Sequence, residues 1–98
     1  MRVISKKTLI AFWQTHKDSE QALKAWYDEA MKANWQTPNE IKLQYKSASV
    51  VGNNRIVFNI CGNKYRLVVV IAYQFGAIYI KFIGTHKEYD GIDVLKIK

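Results

Sequence analysis

His86 stands in the segment Gly84-Thr85-His86-Lys87-Glu88-Tyr89-Asp90, and imidazole is the side chain best matched to moving a proton near neutral pH. Taken alone it reads as a surface histidine after a glycine turn. Two cations shift that balance. Lys64 and Arg66 are separated by one residue in a β-rich stretch, a spacing that puts both on one side of a strand. A proton carrier beside fixed positive charge suits cleavage of RNA through the ribose 2′-hydroxyl. That reaction needs a proton acceptor, a proton donor to the leaving oxygen, and cations on the phosphate. The guanidinium fork of Arg66 matches phosphate oxygens. Lys64 reads about equally well as an edge residue charged against aggregation.

Other residues join this set with less chemistry of their own. Tyr89 is able to stack on a base or donate to a phosphate, and Asp90 is able to orient the imidazole, although Asp90-Gly91 is also a plain turn signal. Lys81 is expected farther from the edge, steering the RNA backbone. Asn59, Arg55 and Thr85 complete the polar set expected to touch RNA. His16 reads as a packing or helix-terminus residue. Trp13 and Trp26 read as core rather than as base platforms, because they fall on helical periodicity. Cys61 lacks the partners of a nucleophilic thiol.

The elements that must position these groups change character near Val50. Before it, Met1 to Ile4 reads as a short strand, and Ser5 as the cap of a helix bearing Leu9, Phe12, Trp13 and His16 on one face. Asp18 with Gln21 resembles a capping box for a second helix that turns Leu23, Trp26, Ala30 and Ala33 inward. Thr37-Pro38-Asn39-Glu40 has a capping Thr, a Pro at the first helical position and a Glu three residues after the cap, which predicts a third helix to about Tyr45.

After Val50, β-branched and aromatic runs are punctuated by Gly52-Asn53-Asn54, Gly62-Asn63 and Gly76, predicting strands over 55–60, 64–73 and 77–83. Two-residue turns at Gly62-Asn63 and Phe75-Gly76 would pair Phe58 with Leu67, Ile60 with Tyr65, Val69 with Phe82 and Ile71 with Ile80 on an apolar face. The opposite face would collect Asn59, Lys64, Arg66, Tyr79, Lys81 and Thr85. Such a meander brings Asn59, Lys64, Arg66, Thr85 and His86 to one edge. Residues 91–98 read as a final strand or a loose tail.

Composition narrows the class. With 98 residues, 49% of them hydrophobic, the expectation is one α+β domain over 1–98 that needs no staple. One Cys and two His give neither an internal disulfide nor a standard four-ligand zinc site, so no metal and no cofactor is expected. The opening residues lack a secretory apolar stretch, and the apolar run from Leu67 to Tyr73 is far short of a membrane span of about 20 residues. A cytoplasmic protein without membrane contact is therefore expected. The net charge of +7 and a pI near 9.6 favour an anionic partner, and both halves of the chain share the excess.

Several stretches together resemble the HigB toxin family: Met1-Arg2-Val3-Ile4-Ser5, Trp26-Tyr27, Trp35-Gln36-Thr37-Pro38, the run from Asn53 to Ile60, the run from Gly62 to Val68, and the run from Phe82 to Asp90. The resemblance spans almost the whole chain. It implies a RelE-like fold, with the N-terminal strand and helical hairpin packed on one face of a twisted antiparallel sheet. It also implies a toxin that cuts messenger RNA on the translating ribosome, a HigA-type helix-turn-helix antitoxin, and binding of operator DNA through the pair. A histidine in a Gly-Thr-His segment carries over onto His86, and the basic residues of the central strand onto Arg66 and Lys64. RelE itself has no histidine at this place, so its division between acid and base does not transfer. Two rivals remain open from sequence, a ParE-like toxin that inhibits DNA gyrase and a non-catalytic RNA-binding module.

Overall fold

The computed structural model describes residues 1–97. In chain order the elements are β1 (Arg2–Ile4), α1 (Lys6–Thr15), α2 (Glu20–Lys32), α3 (Pro38–Gln44), β2 (Ser49–Val51), β3 (Arg55–Ile60), β4 (Tyr65–Ala72), β5 (Ala77–Thr85) and α4 (His86–Asp90), with short 3₁₀ turns at Lys17–Ser19, Tyr73–Phe75 and Val94–Lys96. The class is α+β. The strands form one five-stranded sheet in the order β1-β5-β4-β3-β2. The sheet is mixed rather than antiparallel, because β1 inserts beside β5 in parallel. The N-terminal strand is thus part of the sheet and not a layer packed upon it.

The helices form because their apolar residues recur at helical spacing and have a sheet to cover. Leu9 and Trp13 of α1, Leu23, Trp26 and Ala30 of α2, and Ile41 of α3 are buried. They meet Ile56, Phe58 and Ile60 of β3, Tyr65, Leu67, Val69 and Ile71 of β4, and Ile78 and Ile80 of β5 in one cluster. Phe58 is its hub, with ring centroids 5.4 Å from Trp26, 6.2 Å from Trp35 and 5.1 Å from Tyr45. Aromatic pairs at such distances add to simple burial.

The helix starts are not all those the residues suggest. Thr37 does cap α3, accepting from the Glu40 N–H at 3.4 Å. Ser5 sits in the left-handed region at φ 77 and makes no side-chain cap. Asp18 and Gln21 form no capping box. Asp18 lies in the 3₁₀ turn before α2, and its carboxylate is taken by partners on β4. Ser19, buried at this junction, donates to the His16 carbonyl at 2.6 Å.

The β3–β4 turn closes with a Lys64 N–H to Cys61 carbonyl bond of 3.2 Å around Gly62 at φ 66, and Phe58 faces Leu67 and Ile60 faces Tyr65 as expected. The β4–β5 pairing differs. Ala72 pairs with Ala77 across a longer turn that includes Tyr73–Phe75, and a β-bulge interrupts the ladder between Val68 and Val69. Val69 therefore faces Ile80, Ile71 faces Ile78, and Phe82 faces Val68. Past the bulge, Thr85 pairs with Tyr65 and so lies on the helix-covered face rather than the opposite one.

Two elements have no counterpart in the sequence reading. β2 extends the sheet beyond β3, and β5 runs on to Thr85 before α4 begins. The C-terminal residues return toward the β2–β3 turn, where Leu95 lies 3.6 Å from the position a Gly52 Cβ would occupy. The Arg55 guanidinium holds the Ile97 carbonyl. No helix among the described residues is long and apolar enough to cross a membrane.

Candidate functional site

One end of the sheet gathers most of the chemistry. β3 ends there at Ile60, β4 begins there at Tyr65, and β5 leaves there into α4. The β4–β5 ladder is extended by a bond from the His86 N–H to the Lys64 carbonyl, 3.1 Å. That bond ties the backbone of His86 directly to the lysine beside it.

α4 is short, so its ends must be held. Thr85 Oγ1 accepts from the Glu88 N–H at 3.1 Å, and the Glu88 carboxylate accepts from the Thr85 N–H at 2.7 Å, a reciprocal capping box. The Thr85 N–H holds the Glu88 carboxyl below its ordinary range. The cap fixes His86 in the first turn and Tyr89 one turn later. The His86 imidazole is 57% exposed, with Nε2 3.6 Å from Asp90 Oδ1.

Across from α4, Arg66 pairs with Gly84 on β5 and with Asn59 on β3. Its guanidinium carbon lies 6.0 Å from the centre of the Tyr89 ring. Among the described residues, its hydrogen-bond acceptors are the carbonyls of Asn63 at 2.8 Å and Tyr65 at 3.4 Å. No carboxylate neutralises it there. Opposite it, Gly84 yields its side-chain space to Phe82 and Glu88, since a Cβ would stand 2.6 Å from Phe82 Cζ and 2.9 Å from Glu88 Oε1.

Lys64 is placed differently. Its ammonium is bonded to Asp18 Oδ2, while Asp18 Oδ1 accepts from the Tyr65 hydroxyl at 2.6 Å. Bonds from Lys64 and then Tyr65 pull the Asp18 carboxyl down from its ordinary value. The same carboxylate pushes the Lys64 ammonium and the Tyr65 phenol up. Tyr65 is wedged edge-on against Phe12 at 5.1 Å and His16 at 5.5 Å, and those two rings stack at 4.0 Å. His16 is therefore held by packing, and its Nδ1 lies 3.0 Å from Thr15 Oγ1.

The structure brings the backbones of His86, Arg66, Lys64, Tyr89, Asp90, Thr85 and Asn59 to one end of the sheet, with side-chain approaches of Arg66 to Tyr89 and of His86 to Asp90, while the Lys64 ammonium is turned to Asp18. Lys81 occupies the bulge, farther along β5, with its ammonium 5.6 Å from the Tyr79 ring centre. Arg55 is not brought to this end. It begins β3 at the far edge, where it holds the carbonyls of Asn53 and Ile97. Thr85 Oγ1 is occupied by the cap, and the Asn59 amide reaches the Ser47 carbonyl at 3.4 Å. A hollow of about 400 Å³ lined by Asn54, Ala72, Tyr73, Gln74 and Phe75 opens at the β4–β5 turn and includes none of these groups. Among the described residues, no three His, Cys, Asp or Glu side chains are gathered to hold a metal ion.

Asp18 and Tyr65 are the members that the sequence reading missed. Their partnership joins residues 47 positions apart, and no local pattern announces it.

Comparison with known proteins bears on this geometry. Residues 19–92 match the HigB_toxin family, described as the RelE-like toxic component of a toxin-antitoxin system. The mRNA interferase toxin HigB of Escherichia coli (strain K12) is 27% identical over 92 residues, covering 92% of this chain and 88% of that protein. The mRNA interferases HigB of Escherichia coli O157:H7 and of Shigella flexneri match to the same extent.

Proposed function

Because the chain belongs to the HigB toxin family, the RelE-like toxic components of toxin-antitoxin systems, we propose that it is an mRNA interferase that cuts messenger RNA at the His86 edge. The observation that carries this reading is the Arg66 guanidinium, paired with no carboxylate among the described residues, lying 6.0 Å from the ring centre of Tyr89, which sits on the short helix that begins with His86. His86, Arg66 and Tyr89 stand together where β5 runs into α4.

The reaction is a phosphoryl transfer using groups of the protein and the RNA. The ribose 2′-hydroxyl attacks the adjacent phosphate and gives its proton to a base, and the P–O bond to the next nucleotide breaks as the departing 5′ oxygen takes up a proton. The products are a cyclic phosphate and a free 5′-hydroxyl. His86 moves a proton in this exchange. Arg66 binds two phosphate oxygens and stabilises the charge that builds up on them, with Lys64 adding a second cation. Tyr89, beneath Arg66, positions a nucleotide or the phosphate, and Asp90 orients the imidazole. Lys81 and Asn59 line the approach of the strand.

In this reading the fold is RelE-like, the substrate is messenger RNA on the translating ribosome, and a HigA-type antitoxin silences the toxin and carries the pair to operator DNA. The similarity to three named mRNA interferases and the net charge of +7 support an RNA substrate.

The test is a cell-free translation reaction in which messenger-RNA 5′ ends are mapped by primer extension, with and without ribosomes, for the unaltered protein and for His86→Ala. New ends that require ribosomes and vanish in the variant are expected. Intact messenger RNA with blocked growth in cells would overturn the reading and direct attention to gyrase supercoiling. Full cleavage by His86→Ala would overturn the assignment of the edge.

A further inference from the structure

The two cations at the edge are in unequal states. Arg66 rests on backbone carbonyls and is paired with no carboxylate among the described residues, whereas the Lys64 ammonium is paired with the Asp18 carboxylate. Both members of that pair are well exposed, 60% and 46% of their side-chain surface. Exposed pairs of this kind are weak and open readily. The lysine stem is flexible and carries its charge as a compact point.

Asp18 also has a second attachment that does not depend on Lys64. Its other oxygen takes the Tyr65 hydroxyl, and its backbone carbonyl accepts from Cys61 Sγ at 3.3 Å. Tyr65 is buried and packed against Phe12 and His16. The carboxylate is thus fixed to the framework, and the ammonium is the mobile partner.

We propose that Asp18 is an internal stand-in for the RNA phosphate, parking Lys64 in the free protein and yielding it to the substrate strand when RNA arrives. This rests on the reading of the His86 edge as an RNA site and adds how that site is regulated. With Lys64 parked, the edge presents one free cation fewer, and polyanions that reach it by chance are held less tightly. A phosphate next to Arg66 competes with a single carboxylate oxygen for Lys64, and the exchange costs little because one anion replaces another. Asp18 is accordingly a positioning residue, acting on the substrate through Lys64.

The geometry makes a directional demand. Removing the Asp18 charge should tighten RNA binding, and only through Lys64. Asn at this position keeps a carbonyl for the Tyr65 hydroxyl, so the framework bond survives. The experiment measures binding of a single-stranded 2′-O-methyl RNA oligonucleotide, which lacks the attacking hydroxyl, to the unaltered protein, Asp18→Asn, Lys64→Gln and the double variant across a salt series. Asp18→Asn is expected to bind about two- to fivefold more tightly, the range in which exposed pairs act. Lys64→Gln should bind more weakly, with a salt slope shallower by roughly 0.7 for one lost phosphate contact. The double variant should match Lys64→Gln alone.

Tightening that persists without Lys64 would show general repulsion by Asp18 and overturn the proposal. Unchanged or weaker binding by Asp18→Asn would overturn it as well. If the unaltered protein binds no oligonucleotide at any salt, this proposal falls, while the reading of the His86 edge as a messenger-RNA site is decided by the cell-free translation assay. A second measurement needs no variant. In nitrogen-labelled lysine NMR of the unaltered protein, the Lys64 ammonium signal should move on addition of the oligonucleotide while the Tyr65 ring signals stay. A Lys64 signal that does not move would also overturn the proposal.

Discussion

Replacing Thr85 by Ala tests whether α4 is what places His86. The Thr85 hydroxyl is the acceptor of the Glu88 N–H at 3.1 Å, and the helix it caps has five residues, too few to persist by its own hydrogen bonds. Loss of a Thr cap costs about 1 kcal/mol, so the constant for opening α4 should rise about fivefold. Amide hydrogen exchange reads this directly. Exchange at Glu88 and at Gly91, whose N–H bonds the Glu88 carbonyl at 3.1 Å, should quicken about fivefold, while amides inside β4 stay as they were. Messenger-RNA cleavage should fall only as far as the closed fraction falls, which bounds the loss at about fivefold. Thr85→Ser should restore both. Unchanged exchange would refute the capping argument. A cleavage loss far beyond the change in exchange would show that Thr85 touches the RNA itself.

Three further outcomes follow from the same coordinates. Arg66→Lys keeps the charge but loses the fork; forfeiting one charge-assisted hydrogen bond costs about 1.5 kcal/mol or more, so single-turnover cleavage should slow roughly tenfold, and undiminished cleavage would remove Arg66 from the phosphate. Gly84→Ala drives a Cβ to 2.6 Å from the Phe82 ring and 2.9 Å from the Glu88 carboxylate, an overpacking expected to cost about 1 to 3 kcal/mol and to appear as a lower thermal midpoint. An unchanged midpoint would contradict it. The Asp18 carboxyl is lowered by Lys64 and Tyr65, so its contribution to stability is complete above its unfolded pKa, roughly pH 4, and is lost as pH falls through the depressed folded value. Urea unfolding at stepped pH should therefore show a constant gap between the unaltered protein and Asp18→Asn from pH 7 to about 5, closing in stronger acid; a gap unchanged in strong acid would refute the pairing.

What the sequence makes legible is what local chemistry decides. Thr37-Pro38-Asn39-Glu40 marks the start of α3 because cap, proline and acceptor all lie within one turn. Leu23, Trp26 and Ala30 mark the buried face of α2 because their spacing is helical. Gly62 sets the β3–β4 turn and with it the pairing of Asn59 with Arg66. Long-range partners are not legible in this way. Asp18 looks like a helix cap by position, yet the acceptors it could offer to N–H groups are claimed by Lys64 and Tyr65. Arg55 looks like another cation for RNA, yet its value to the fold is to hold the C-terminal backbone at Ile97. α4 is short and mostly polar, so no periodicity reveals it, although Thr85 and Glu88 stand at capping-box spacing.

The bulge in β5 decides how the edge is built, and it is ambiguous in sequence for a physical reason. Ile78, Ile80 and Phe82 alternate perfectly, so an uninterrupted strand would turn Phe82 toward the helices, and a one-residue slip reverses every residue after it. Phe82 and Ile83 are both apolar, so either can face the core. The structure chooses Ile83, which meets Leu67, and Phe82 goes to the opposite face beside Val68 and over Gly84. Lys81 is the extra residue that makes the reversal possible, as bulges commonly re-aim the residues that follow them. The consequence reaches the chemistry. Without the reversal the register would set Ile83 opposite Arg66 and leave Thr85 on the Arg66 face, opposite Lys64. With it, Gly84 lies opposite Arg66, Thr85 turns to cap α4, and Tyr89 comes round to the guanidinium from the next turn. One residue inserted several positions upstream therefore decides which side chains surround the cation that the proposed reaction needs.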